Sequence, residues 1–150
     1  QGNSLMSGPA GSGKSNLSMA ILKSYLESGE KTALFVSYSH VVRLIKDSFN
    51  NRDSIYTQNN IMSLLTNVDL LVMDDIGSEN NSDFSEELLT DVLDGRISTI
   101  ITTNLSSEEL RGNSRKPGRY NQRTASRMFR GIGGKAFNFK GIKDKRVLPF

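Results

Sequence analysis

The sequence predicts an α/β domain built on one parallel sheet with helices on both faces. Three observations carry this. Short apolar runs alternate with amphipathic helical runs along the 150 residues. The run Gly8 to Ser15 reads Gly-Pro-Ala-Gly-Ser-Gly-Lys-Ser and fits G-x-x-x-x-G-K-[ST] at every fixed position. Leu70 to Asp75 is four apolar residues followed by two acids, a buried strand that ends in charge. Together they describe the three-layer sandwich of a phosphate-loop NTPase.

The elements follow in order. Leu5-Met6 is a short first strand, and Leu17, Ala20 and Ile21 open a helical stripe after the glycine-rich loop. Thr32 to Ser37 is a buried strand. Val41 to Phe49 has helical spacing, with Val41, Ile45 and Phe49 on one face. Ile61 to Leu65 is a short helix, and Asp69 to Asp74 a strand. Phe84, Leu88 and Val92 make another stripe, opened by Asp83 and Glu86 as a capping box. Ser98 to Thr103 is a strand, and Ser106 to Arg111 starts a short helix. Asn113 to Asn121 is a polar loop, Gln122 to Phe129 a helix, and Lys135 to Lys140 a last strand.

Composition narrows the class. A chain of 150 residues is one domain with a substantial core. With no cysteine and one histidine, His40, disulfides and thiolate or histidine metal clusters are excluded. No apolar stretch approaches the ~20 residues of a membrane span, so the expectation is a cytoplasmic protein that does not engage a membrane. Because Gln1 lies almost on the first strand, residues 1–150 are read as the core of a longer chain, without an N-terminal partner-binding region. Charge is uneven. Residues 1–110 hold 7 Lys/Arg against 15 Asp/Glu, a balance of −8; residues 111–150 hold 12 against Asp144 alone, +11. That basic segment is either a solvated tail or a surface for something anionic.

The loop chemistry explains its order. Gly8, Gly11 and Gly13 let the backbone turn tightly, so that several N–H groups point at one phosphate; Gly8, Pro9, Ala10, Gly11, Ser12, Gly13, Lys14, Ser15 and Asn16 are the candidate nucleotide-binding residues. Lys14 reaches the β- and γ-phosphates, and the Ser15 hydroxyl is a hard oxygen suited to Mg2+. The helix N-terminus adds its positive end. ATP/ADP with Mg2+ is the implied ligand set. In such a site Asp74 would hold the metal and Asp75 would activate the attacking water. Asp75 is one methylene shorter than glutamate, which would slow hydrolysis; Glu79 is the fallback acid. Asn104, at the end of the next strand, either orients that water or only ends the strand.

Gly8–Ser15, then Val72 to Gly77 (Val-Met-Asp-Asp-Ile-Gly), Ile101 to Leu105 (Ile-Thr-Thr-Asn-Leu) and Arg123-x-x-x-Arg127-Met128 resemble the AAA+ ATPases that load replicative helicases, the DnaC/DnaI type. The resemblance runs from Leu5 to about Arg146. It implies an AAA+ core without a separate helical lid, with Asp74 as the metal carboxylate, Asp75 as the catalytic acid and Asn104 as the sensor residue. Arg127, or secondly Arg123, would be the finger that enters a neighbouring subunit's nucleotide, and Arg146 a basic contact to phosphate. It also implies homo-oligomers formed on ATP or DNA, a hexameric helicase as partner, and single-stranded DNA in the assembly's channel, where Lys46, Phe49, Ser82 and Phe84 are candidate contacts. At helical spacing Phe49 and Phe84 equally read as core. The IstB-type transposition ATPases share most of these motifs, and a nucleotide-gated scaffold with little turnover is the other alternative.

Overall fold

The computed structural model describes residues 1–144 and Arg146. Five parallel strands form one sheet in the order β2-β3-β4-β1-β5. They are β1 (Ser4–Ser7), β2 (Ala33–Ser37), β3 (Leu70–Ile76), β4 (Ile100–Thr103) and β5 (Ala136–Asn138); the helices are α1 (Lys14–Glu27), α2 (Tyr38–Ser48), α3 (Gln58–Asn67), α4 (Asp83–Asp94), α5 (Ser107–Arg111) and α6 (Gln122–Met128). The period of two along each strand divides the core. Leu5, Leu71, Met73 and Ile101 face a large cluster with residues of α2, α3, α4 and α6. Met6, Val72 and Ile100 face the opposite side, where Leu22 of α1 covers them. No helical lid follows β5 among the described residues.

Several expectations are corrected. Helix α1 buries Lys14, Ser18 and Leu22, whereas Leu17 and Ile21 are exposed, at 42% and 38%. The phosphate loop sets the helix's rotation: Lys14 must turn inward, so positions 18 and 22 follow it onto the sheet. Strand β2 is half-buried along its length because it forms the sheet's edge. Val41 and Ile45 are core, but Phe49 lies just past the end of α2 and is 61% exposed. The capping box of α4 is Ser82 with Ser85, one residue ahead of Asp83 and Glu86, which instead place acid in the first turn.

Buried polar side chains fix the layers where apolar contacts cannot. Arg96 is 8% exposed and donates to the carbonyls of Leu65 (2.8 Å), Val68 (2.8 Å) and Ser98 (3.3 Å), joining the end of α3 to the approach of β4. Asn3 is fully buried: its Nδ2 donates to the carbonyl of Arg127 (2.8 Å) and its Oδ1 accepts from Thr99 N–H (2.9 Å). One side chain thus ties the end of α6 to the sheet. Replacing Arg96 by alanine leaves several buried carbonyls unsatisfied, at about 1–3 kcal/mol each. Chemical denaturation of Arg96→Ala is therefore expected to show a loss of at least about 3 kcal/mol; a loss below about 1 kcal/mol would show that water replaces the guanidinium.

Candidate nucleotide site

The phosphate loop lies at the carboxyl ends of β1, β3 and β4, where open parallel sheets bind ligands. Gly13 has φ +98° and leads directly into α1 at Lys14. Lys14 is the organising cation, only 6% exposed. Its Nζ donates to the carbonyls of Gly8 and Pro9, both at 2.8 Å, and to Asn104 Oδ1 at 2.9 Å. Burial pulls its pKa below the ordinary lysine value, and the carboxylates of Asp75 and Asp74 oppose that shift. Ser12 is buried beneath the loop, and Gly8, Pro9 and Ser12 frame Lys14 rather than line the cavity.

The cavity, of about 310 Å³, is lined by Ala10, Gly11, Gly13, Lys14, Ser15, Asn16, both acids, Thr102, Asn104 and Arg146. The sequence-predicted residues therefore converge. Asp74 Oδ1 accepts from Ser15 Oγ at 2.7 Å and from Thr102 Oγ1 at 2.6 Å. A hydroxyl and a carboxylate at this separation are two hard oxygens on one side of the cavity. That donor set suits Mg2+, which takes few protein ligands and completes its shell with phosphate and water.

Asp75 is the sole non-glycine residue with positive φ among the described residues, at +59°. The β3–β4 register shifts between Met73 and Ile76, so both acids sit in a bulge. The bulge turns Asp75 out of the strand's alternation and into the cavity beside Asp74. Aspartate tolerates this left-handed backbone better than a β-branched residue would. Thr102 Oγ1 accepts from the Asp75 N–H at 2.9 Å while donating to Asp74, so one hydroxyl fixes both acids. Asn104 completes a bridge: its Oδ1 holds Lys14, and its Nδ2 donates to Asp75 Oδ1 at 3.4 Å. Thr102 is the residue that sequence reasoning missed, although it stands inside the quoted Ile-Thr-Thr-Asn-Leu phrase.

Arg146 reaches the cavity from the far end of the chain. Its Nε and Nη2 donate to Asp144, whose carboxyl this bonding holds down to about 2. Asp144 Oδ1 lies against Gly11: a Cβ there would stand 1.9 Å from it, and Gly11 has φ +74°. A side chain at Gly11 would be strained by this φ and would push the Asp144 carboxylate aside. Glu79 is not at the cavity. It is buried, accepting from Gly77 N–H (2.8 Å) and Tyr120 Oη and facing Arg119 Nη2 (3.5 Å). The fallback acid is thereby a brace between the end of β3 and the start of α6.

Arg123 and Arg127 stand apart from the cavity lining, on α6, and both donate to Asp94 at the end of α4. Elsewhere, Phe49 and Phe84 meet edge to face, with ring centroids 5.7 Å apart at 75°, and Lys46 Nζ lies 5.8 Å from the Phe84 ring. Phe84 is half-buried against the core. The Ser82 hydroxyl accepts from Ser85 N–H at 3.1 Å as the α4 cap.

Similar proteins share this arrangement of chain. The sequence profile of the IstB-like ATP binding proteins matches residues 1–113. The replicative helicase loader DnaC of Escherichia coli K12 is 32% identical over 110 residues, covering 71% of this chain and 44% of that protein. DnaC of Buchnera aphidicola subsp. Baizongia pistaciae is 33% identical over 109 residues, covering 72% and 44%. A crystal structure of the DnaC helicase loader superposes with a TM-score of 0.68 at 25% identity, covering 95% of this chain and 78% of that one. The chain spans 44% of the length of the curated relatives it matches. With its parallel sheet, phosphate loop and paired acids, the chain belongs to the IstB-like ATP binding protein family and has the AAA+ fold of the DnaC loaders.

Proposed function

We propose that this domain is the ATP-hydrolysing core of a replicative helicase loader. The observation that carries the enzymatic part is the bridge Lys14–Asn104–Asp75, which couples the phosphate cation to the second acid through one amide. Lys14 would hold the β- and γ-phosphates. Asp75 Oδ would accept a proton from water as that water's oxygen bonds to the γ-phosphorus. The bond from the γ-phosphorus to its bridging oxygen breaks, leaving ADP and phosphate. Mg2+, held by Ser15 and Asp74, would neutralise charge on the phosphate oxygens. Asn104 would orient the water, Arg146 would contact phosphate once Asp144 yields it, and Arg127 would supply charge to a neighbouring copy's nucleotide. Arg127 is favoured over Arg123 because it best matches the finger position in the resemblance, and its Nε bond to Asp94 leaves its Nη groups open.

Delivery of a hexameric helicase to single-stranded DNA at replication initiation is supported by the likeness to replicative helicase loaders at 32–33% identity. The DNA contact would be the Phe49–Phe84 pair with Lys46, an exposed aromatic beside a cation. A pull-down of the full-length protein against the replicative helicase of its host tests the partner: retention of the helicase is expected, and retention of a transposase alone would instead support a transposition ATPase.

Two substitutions test the residues. Asp75→Asn is expected to retain ATP affinity but lose at least about 10²-fold in phosphate release, since an amide cannot take the proton. Turnover within twofold of wild type would place the base elsewhere. Phe49→Ala is expected to weaken single-stranded DNA binding with an unchanged Tm, because the ring is exposed; Phe84→Ala is expected to lower Tm as well. Unchanged DNA affinity in Phe49→Ala would remove this surface from DNA binding.

A further inference from the structure

Asp94 closes α4 and is an exposed carboxylate, yet it receives two arginines. They bond differently. Arg123 donates through Nη2 to Oδ2 at 3.4 Å, and its side chain is 67% exposed. Arg127 donates through Nε to Oδ1. A carboxylate that sequesters an arginine takes its planar fork in a bidentate pair. A carboxylate at Nε does something else: it fixes the plane of the guanidinium and leaves both Nη groups unspent. Among the described residues neither Nη of Arg127 has a protein partner.

The surroundings of Arg127 fit presentation. It lines a groove of about 680 Å³ together with Arg111, Phe129 and Arg130. Arg130 is committed to the carbonyls of Leu93, at 2.6 Å, and Arg96. Arg111 lies 3.5 Å over the Phe129 ring. These neighbours add positive potential while held by partners of their own. The backbone of Arg127 is fixed too, since its carbonyl accepts from the buried Asn3. Main chain, Nε and guanidinium plane are thus all set, and the part left open is the fork that fits a phosphate.

We propose that Asp94 is a positioning residue for phosphoryl transfer, holding Arg127 by Nε so that its two Nη groups face the triphosphate bound by a neighbouring copy of this chain. This rests on Arg127 acting in trans. Asp94 touches no substrate; it acts through Arg127. Its charge also keeps Arg123 against the same helix end and away from the groove. An exposed ion pair contributes little to folding, so its removal is readable without unfolding the protein.

The test is made on the full-length protein with ATP and single-stranded DNA, at concentrations where turnover per subunit has reached its plateau. Asp94→Ala is expected to keep the ATP affinity and Tm of wild type and to lose about ten- to a hundredfold in turnover, the scale of a misplaced reacting group. Asp94→Asn keeps an oxygen acceptor for Nε and is expected to retain most of the turnover. Mixing Asp94→Ala with Lys14→Ala protein is expected to restore activity, because Lys14→Ala subunits supply a held Arg127 to the intact nucleotide sites of the others. A merely structural role would lower Tm and would not be complemented by mixing. Wild-type turnover in Asp94→Ala, or a rise above it, overturns the proposal, the rise because it would make Asp94 a trap for Arg127. Failure of the two ideas is distinguishable. Loss in Arg127→Ala with wild-type turnover in Asp94→Ala removes only the role of Asp94, whereas wild-type turnover in Arg127→Ala removes the finger and with it the proposal.

Discussion

The nucleotide end of this sheet depends on where one buried ammonium goes. Lys14 begins α1, and burial penalises its charge unless every proton finds an oxygen. It finds them on the carbonyls of Gly8 and Pro9 and on Asn104. Satisfying it sets the curl of the loop, the rotation of α1 and the distance between the ends of β1 and β4. The same rotation turns Leu17 and Ile21 outward, an unfavourable arrangement for apolar side chains that the helical period imposes once Lys14 is inside. The need of one charge at the cavity outweighs the apolar pattern of a helix here.

The acids depend on a second constraint, the bulge in β3. A regular strand would send Asp74 and Asp75 to opposite faces of the sheet. The register shift and the left-handed φ of Asp75 bring both to one cavity, and Thr102 anchors the bulge from β4. Strain of this kind persists only when neighbours over-determine it. Here the Thr102 hydroxyl and the Asn104 amide do so, while Glu79 secures Gly77 on the other side. The arginine-bearing α6 is held through Asn3, Asp94 and the same Glu79, on which Arg119 and Tyr120 brace. One chain therefore carries a phosphate cavity and, apart from it, an arginine edge with an open fork.

Much of this was legible in the sequence. Gly8–Ser15 named the loop because each of its residue types has a separate task, and four apolar residues before Asp74-Asp75 marked the strand. The parallel sheet followed from alternation. What escaped were features set by tertiary geometry. Nothing in the spacing of Leu17, Ala20 and Ile21 reveals which face of α1 turns to the sheet, and the period of Val41, Ile45 and Phe49 does not show that the helix stops one residue before the last of them. Polar braces were least visible. Asn3 just before β1, Thr102 in β4 and Asp94 at the end of α4 are ordinary residues at ordinary positions, and their partners lie 27 or more residues away. Ser82 was legible as polar beside an aromatic, but its hydroxyl serves the helix cap.

The proposed function requires the phosphate cavity and the arginine edge to meet between copies. The direct measurement is phosphate release per subunit as a function of protein concentration, with saturating ATP and single-stranded DNA. Under the proposed trans role of Arg127, turnover per subunit should rise steeply as copies associate and then level off, because among the described residues Arg146 is the one arginine that lines the cavity within a single chain. A turnover per subunit that stays constant from dilute monomer to assembled protein would show that one chain holds a complete site and would remove Arg127 as a group acting in trans.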